Sequence, residues 1–294
     1  MQKVAISIGD INGIGLEIAL KSHKDVKKIC KPIYCINKTM LYWGAAYLGL
    51  DVPDDFKFKE CGDSFEITPG ISTKEAGKLS YESFKSAIKL AKRKEVKGVV
   101  TLPINKESWK KANVPYIGHT DMLGSDTIMM LGCEKMFVIL FTHHIALRDV
   151  PGKIKKDALV NFFKKVAKSL KAKKIGVLGL NPHAGDNGLM GDEEKAIKKA
   201  IKKVNKELNS QQFIGPMVPD TAFIQNFTYF IAMYHDQGLA PLKALYFEES
   251  INVTLNAKIL RTSVDHGTAF DIAYKDKNPS NKSYINAIKY LLSL

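Results

Sequence analysis

Four histidines sit in polar segments directly behind apolar, β-branched or aromatic runs. They are His144 after Met136–Thr142, His183 in Asn181-Pro-His-Ala-Gly-Asp-Asn-Gly188, His235 in Ala232-Met-Tyr-His-Asp-Gln-Gly238, and His266 in Val264-Asp-His-Gly-Thr268. Imidazole is the commonest transition-metal ligand and exchanges protons near neutral pH, so such a set points to a metal or acid–base site. In an open α/β sheet, loops at the carboxyl ends of the strands converge on one crevice where ligands bind. His144, His183 and His235 are the candidate metal ligands, and three imidazoles leave at least one coordination position open for chemistry. The plainer alternative is three unrelated loop histidines, each satisfied by hydrogen bonds. Their joint placement behind strands favours ligation. His143 is expected to point away from its neighbour His144 by strand alternation, and His23, at a lysine-rich helix end, is expected to face solvent.

A second group of residues has the chemistry of an anion site. Gly118-His119-Thr120-Asp121 precedes an apolar run expected to be helical, where Thr120 either caps that helix or joins His119 in holding a phosphate. Arg261 and Lys243 are cations flanked by apolar residues, and a buried cation needs an anionic partner. That partner is either a ligand phosphate or carboxylate, which suits the planar guanidinium, or a structural ion pair with Asp236 or Asp265. Asn252 belongs to the same set. The first turn, Gly9-Asp-Ile-Asn-Gly-Ile-Gly15, is glycine-rich but is not a G-x-G-x-x-G fingerprint, so it reads equally as a structural turn or a ligand loop.

Composition narrows the class. A hydrophobic fraction of 45% with 25% charged residues is ordinary for a globular enzyme. The net charge of +14 comes mostly from lysines spread along helical stretches without aromatic interleaving, so nucleic acid is not the expected partner and an anionic small substrate is. Cys30, Cys35, Cys61 and Cys133 show no Cys-x-x-Cys spacing and read as reduced thiols. No window approaches the length of a membrane span and no secretory signal is evident, which predicts a cytoplasmic protein.

The elements that must position these residues alternate between β and α. Strands are predicted at Val4–Ile8, Pro32–Ile36, 98–101, Met136–Phe141, Ile175–Leu180 and Tyr229–Met233. Helices are predicted at Leu16–Ser22, Thr39–Leu48, Thr73–Arg93, Lys155–Leu170, Glu193–Leu208 and Tyr284–Leu292. Short βα connections imply an α/β fold with a mostly parallel sheet.

Taken together, Asn181-Pro-His-Ala-Gly185, Gly215-Pro-Met-Val-Pro-Asp-Thr221, Ala232-Met-Tyr-His-Asp-Gln-Gly238 and Arg261-Thr-Ser-Val-Asp-His-Gly-Thr-Ala-Phe-Asp-Ile-Ala273 resemble the 4-hydroxythreonine-4-phosphate dehydrogenase family of vitamin B6 synthesis. The likeness runs from Ile6 to about Ala273. It implies an isocitrate/isopropylmalate dehydrogenase-like fold: two α/β/α domains with a cleft between them, in a homodimer. One domain would be 1–118 with 250–294, the other 119–249. By the same resemblance His144, His183 and His235 would bind one divalent ion (Zn, Mg or Co), with ligands drawn from both subunits. His119, Thr120, Lys243, Asn252 and Arg261 would hold a small phosphorylated amino-acid substrate. Asp265, His266, Gly267 and Asp271 would lie by NAD or NADP. The implied reaction oxidises the substrate hydroxyl, and the product β-keto acid loses CO₂. Asp236, Lys106 and His119 are the candidate bases. A relative acting on another phosphorylated hydroxy acid and a metal-dependent phosphatase are the rival readings. Departures from the family pattern, such as Ile11-Asn12 for Pro-Ala, Leu16 for Pro, Asp121 for Glu and Asp186-Asn187 for Glu-Gly, leave the ligand set whole.

Overall fold

The computed structural model describes residues 1–275 and 277–294. The chain divides into two compact units, Met1–Thr127 with Ile251–Leu294, and Ile128–Ser250. Residues 119–127, grouped with 119–249 in the sequence reading, fall in the first unit by this division.

The chain opens with β1 (Lys3–Ser7), α1 (Gly15–Ile29), β2 (Lys31–Cys35), α2 (Lys38–Tyr47), β3 (Phe58–Lys59), α3 (Lys74–Lys92), β4 (Val99–Thr101), α4 (Lys106–Lys111) and α5 (His119–Leu123). The second unit follows as β5 (Ile128–Cys133), β6 (Met136–Leu140), α6 (Val150–Lys153), α7 (Lys156–Ser169), β7 (Ile175–Leu178), α8 (Glu193–Glu207), β8 (Phe213–Met217), α9 (Pro219–Ala222), β9 (Tyr229–Ala232) and α10 (His235–Tyr246). The chain then returns to the first unit with β10 (Ile251–Leu255), β11 (Arg261–Val264) and α11 (Lys282–Ser293).

In the first unit the strand order is β3-β2-β1-β4-β11-β10, parallel except for the β10–β11 hairpin. The strands β1 and β4 are almost wholly buried, as expected of parallel strands covered by helices. The helix α3 packs on β1, β2 and β4 and against α4, while α1 packs with α2 and α11. Side chains of Asn37, Thr73 and Asn105 cap α2, α3 and α4 by accepting from Met40, Ala76 and Ser108 N–H groups, each cap worth about 1 kcal/mol. Gly9 has φ +75, and a Cβ there would collide with the Pro103 carbonyl, so glycine lets the first turn close against the loop after β4.

The second unit has the order β5-β6-β9-β7-β8, parallel except for the β5–β6 hairpin. Its core gathers Val138, Leu140, Leu178, Phe230, Leu239 and Leu242 between the sheet and α10.

Several sequence expectations are corrected. The apolar run after Asp121 is the strand β5, not a helix, and it turns back through Glu134-Lys135 into β6. Gly132 at φ +147 lets this hairpin close, because a Cβ would strike the Met136 carbonyl. Gly118, not Thr120, is the N-cap of α5, and Thr120 lies inside that short helix. His23 is buried at 2% exposure, because it falls on the same face of α1 as Leu16, Ala19, Leu20 and Val26. There its ring nitrogens meet the Tyr34 hydroxyl at 3.0 Å and Asp55 Oδ1 at 3.2 Å. Strand alternation does not govern His143 and His144, because β6 ends at Leu140 and His144 has φ +49.

Candidate active site

Strand register builds the first part of the site. Arg261 pairs with Thr254 across the β10–β11 hairpin, and Asn252 pairs with Ser263. Along β4, Val99 pairs with Arg261, and Thr101 lies two residues further on. Side chains two apart on a strand share a face, so Arg261, Ser263, Thr254, Asn252 and Thr101 are placed on one face of this sheet.

The Arg261 guanidinium on that face is buried at 3% exposure. Its Nη1 donates to Thr254 Oγ1 at 3.1 Å and its Nη2 to Thr101 Oγ1 at 2.7 Å. Nη2 also lies 3.2 Å from His119 Nδ1. Nε has no hydrogen-bond partner, and no carboxylate pairs with Arg261 among the described residues. The structural ion pair with Asp236 or Asp265 is therefore not what this arginine makes. Burial pulls its pKa down to about 9, which still leaves it charged at neutral pH.

His119 is buried at 8% exposure, with its ring edge-on to Phe84 at 4.4 Å and Trp109 at 5.6 Å. Its Nε2 is also buried and without a partner. Burial first, and the Arg261 charge second, hold this imidazole well below its usual pKa. Two buried N–H donors lacking acceptors cost about 1–3 kcal/mol each until something accepts from them. A buried cation with one unsatisfied donor of its own and another on the ring beside it has the chemistry of an anion site.

The second part lies in the other unit. The His144 and His235 rings are 5.7 Å apart, tilted by 39°. Two imidazoles on one tetrahedral ion at about 2.0–2.1 Å have centroids roughly 5 Å apart, so this pair has suitable spacing. His235 Nδ1 donates to Asp236 Oδ1 at 2.6 Å, so that in the neutral ring the free electron pair is on Nε2. That is the usual second-sphere arrangement of a metal-bound histidine, and it engages Asp236 as the orienting carboxylate. His143 stands edge-on to His144 at 5.0 Å.

His183 is exposed and sits on an unusual backbone. His183, Ala184, Gly185, Asp186 and Asn187 all have φ between 40 and 80, one turn of left-handed helix. Non-glycine residues pay roughly 1–2 kcal/mol each for that conformation. Glu194 anchors the approach to it, accepting from Leu180 N and Asn181 N at 2.8 Å each, while Asn181 Nδ2 donates to Glu193 and Glu194. Neutral imidazoles fit a borderline-soft divalent ion, but among the described residues no three histidine, cysteine or carboxylate side chains gather as one metal-holding group. Two of the three expected ligands are thus brought side by side within the chain.

The remaining candidates are dispersed. Lys243 on α10 is half-buried, with Nζ 5.2 Å above the Phe247 ring. Asn252 is half-buried on β10, and Lys106 is the exposed first residue of α4. The Asp265 N–H donates to Ser283 Oγ at 3.1 Å, and His266 Nδ1 donates to the Gly267 carbonyl at 3.0 Å. Gly267 and Asp271 are exposed. The first turn is stitched to this segment by Ile14 N–H to the Thr268 carbonyl (3.1 Å) and the Tyr274 hydroxyl to the Ile11 carbonyl (2.8 Å). Asn12 ties the same turn to Thr68, Ile71 and Thr73. Sequence reasoning missed Thr101, Thr254 and Glu194. The first two lie among ordinary strand threonines, and only the register reveals them.

Comparison with known proteins bears on the whole arrangement. The family model described as pyridoxal phosphate biosynthetic protein PdxA matches residues 28–291. The 4-hydroxythreonine-4-phosphate dehydrogenase of Sulfurimonas denitrificans is 54% identical, covering 99% of this chain and 97% of that protein. The Helicobacter pylori protein of the same name is 48% identical, covering 99% of each. A solved 4-hydroxythreonine-4-phosphate dehydrogenase from Klebsiella pneumoniae superposes with TM-score 0.83 at 30% identity, over 100% of this chain and 99% of that one. A terephthalate 1,2-cis-dihydrodiol dehydrogenase from Burkholderia xenovorans shares the fold, with TM-score 0.70 at 24% identity over 99% and 97% of the two chains.

Proposed function

The chain belongs to the PdxA family of 4-hydroxythreonine-4-phosphate dehydrogenases, and from that premise we infer how its residues serve the reaction. It is an oxidoreductase of isocitrate/isopropylmalate dehydrogenase-like fold. It oxidises 4-phosphooxy-L-threonine to 2-amino-3-oxo-4-(phosphooxy)butanoate, which decarboxylates to 3-amino-2-oxopropyl phosphate, in pyridoxal phosphate synthesis. The observation that carries the site reading is Arg261, a buried cation whose partners among the described residues are all neutral. It supports Arg261 and His119 as phosphate donors, with Thr120, Asn252 and Lys243 completing the substrate contacts. Charge-assisted hydrogen bonds to phosphate are roughly twice as strong as neutral ones, so this corner fixes the substrate's orientation.

His144, His183 and His235 are the residues that would hold a divalent ion, and the set is completed in a homodimer. Held by neutral ligands, such an ion would keep its full charge and would supply acidification of the substrate hydroxyl. Asp236 fixes the His235 tautomer. The segment with Asp265, His266, Gly267 and Asp271 would line the nicotinamide dinucleotide, NAD or NADP, which would serve as hydride acceptor. A backbone hydrogen bond and the Tyr274 hydroxyl tie the first turn to that segment and hold it in place. Asp236, Lys106 and His119 are the three candidates for the group that takes the hydroxyl proton, and the donor role of His119 toward phosphate favours the first two.

The test is NADH formation from 4-phosphooxy-L-threonine, NAD⁺ and a divalent ion, with phosphate release followed in parallel. Dehydrogenase activity requires an absorbance rise without free phosphate. Phosphate release with no NADH signal would overturn the reading.

A further inference from the structure

The geometry points to Thr101 and Thr254 as positioning residues: their hydroxyls hold Arg261 without neutralising it, and Arg261 in turn fixes His119 as an obligate neutral donor that cannot be the general base. This deepens the phosphate reading given above and rests on it.

The argument starts from arginine, which carries five N–H donors and no acceptor. Nη2 faces His119 Nδ1 at 3.2 Å, so Nδ1 must be the accepting nitrogen. A ring protonated at Nδ1 would set donor against donor. The proton of the neutral imidazole is therefore on Nε2, the atom buried without a partner. An acceptor-only anion satisfies Nε2–H and Arg261 Nε together, whereas a base needs a free electron pair facing the substrate. Burial and the neighbouring guanidinium both oppose any further protonation of the ring.

The threonines take the place that a carboxylate would hold, and among the described residues none pairs with Arg261. Thr101 Oγ1 and Thr254 Oγ1 accept from Nη2 and Nη1, orienting the planar fork from two strands. An Asp or Glu in their place would make a closer ion pair, and it would spend the charge meant for the ligand. Hydroxyls orient the guanidinium and leave its charge to the incoming anion. Both threonines are buried, on β4 and β10, and neither position bore a recognisable motif.

The test combines variants with nitrogen-15 spectroscopy of His119. Thr101→Val is expected to raise KM for the phosphorylated substrate about tenfold, with a smaller effect on kcat, as loss of one hydrogen bond to a charged group implies. Thr101→Ser restores most of that loss. Thr101→Asp keeps an acceptor yet weakens binding of inorganic phosphate further than Thr101→Val does, because it neutralises Arg261. Should Thr101→Asp fail to fold, Thr254→Val and Thr254→Glu supply the same contrast. In the wild-type protein, His119 should show Nε2 protonated and Nδ1 unprotonated from about pH 5 to about pH 8, without the transition near 6.5 of an ordinary histidine. Phosphate binding in Thr101→Asp equal to wild type, or His119 titrating near 6.5, would overturn the proposal. These readouts need no turnover. A protein with this spectrum and phosphate response that gave no NADH would sink the dehydrogenase reading and leave the positioning claim standing.

Discussion

Arg261 and His119 are buried with their threonine and aromatic neighbours already in place, whereas His144 and His183 stand exposed on backbone of positive φ. In the first unit, three strands and α3 fix the donors, and the cost of burying an unpaired cation is met when the unit folds. In the second unit, two rings approach each other and the third rides on a left-handed turn braced by Glu194. Such strain persists only where surroundings enforce it, and it concentrates at functional sites. The difference teaches that the Arg261 corner is ordered by the single chain, while the histidine set is only partly gathered by it.

The largest effect that would break this contrast belongs to Arg261. Arg261→Met should lower kcat/KM by about a thousandfold, since truncating one partner of a buried charged contact costs 2–5 kcal/mol. Its metal content, measured by atomic absorption, should stay at the wild-type level. The reciprocal variant, His183→Ala, should weaken metal affinity at least about a hundredfold, beyond the loss caused by outer-sphere changes. Calorimetry should find its phosphate binding unaltered, and a loss of both ligands together would erase the distinction between the units.

Glu194 sharpens the comparison at the next level. Glu194→Gln retains an acceptor for Leu180 and Asn181 N–H and should cost about tenfold in metal affinity, as outer-sphere changes do. Glu194→Ala leaves both donors unmet and should also destabilise the protein by about 2 kcal/mol in denaturant titrations.

An effect on stability alone, with no consequence for either ligand, is a pH dependence confined to the first unit. Asp10 is fully buried, and burial pushes its carboxyl up to about 6, against the lowering by Ser108 and the Asn12 N–H. A carboxyl raised in the folded state binds its proton more tightly there than when unfolded. Its stabilising contribution is thus full below pH 3.8 and is lost as pH rises through about 6. Asp10→Asn should flatten melting temperature against pH across that window, while the wild type loses of order 3 kcal/mol from it.

Periodicity made most of the fold legible. The helices α1, α2, α3, α7, α8 and α11 and the strands β1, β2, β4, β6, β7 and β9 lie where apolar spacing put them, within a few residues, although α1 extends well beyond Ser22. What escaped was β3, β8 and the antiparallel part. Ile128–Cys133 is uniformly apolar, and its identity as a strand depends on pairing with β6 and on Gly132, both nonlocal facts. The strands β10 and β11 were likewise hidden, although Asn252 and Arg261 on them had been singled out for their chemistry. The helix α10 was missed because its start, Tyr234-His-Asp-Gln, reads as loop and Pro241 interrupts its pattern. Of the candidate site, residue types exposed the histidines and the buried arginine. Partners such as Thr101, Thr254 and Glu194 required knowing which strands and turns lie side by side.

Calorimetric titration of inorganic phosphate into wild-type protein stripped of divalent ions, beside Arg261→Met, probes the preformed cradle most directly. The account predicts that phosphate still binds the chelated wild type and that Arg261→Met abolishes the binding. Phosphate binding that disappears with the metal, or that survives in Arg261→Met, would contradict it.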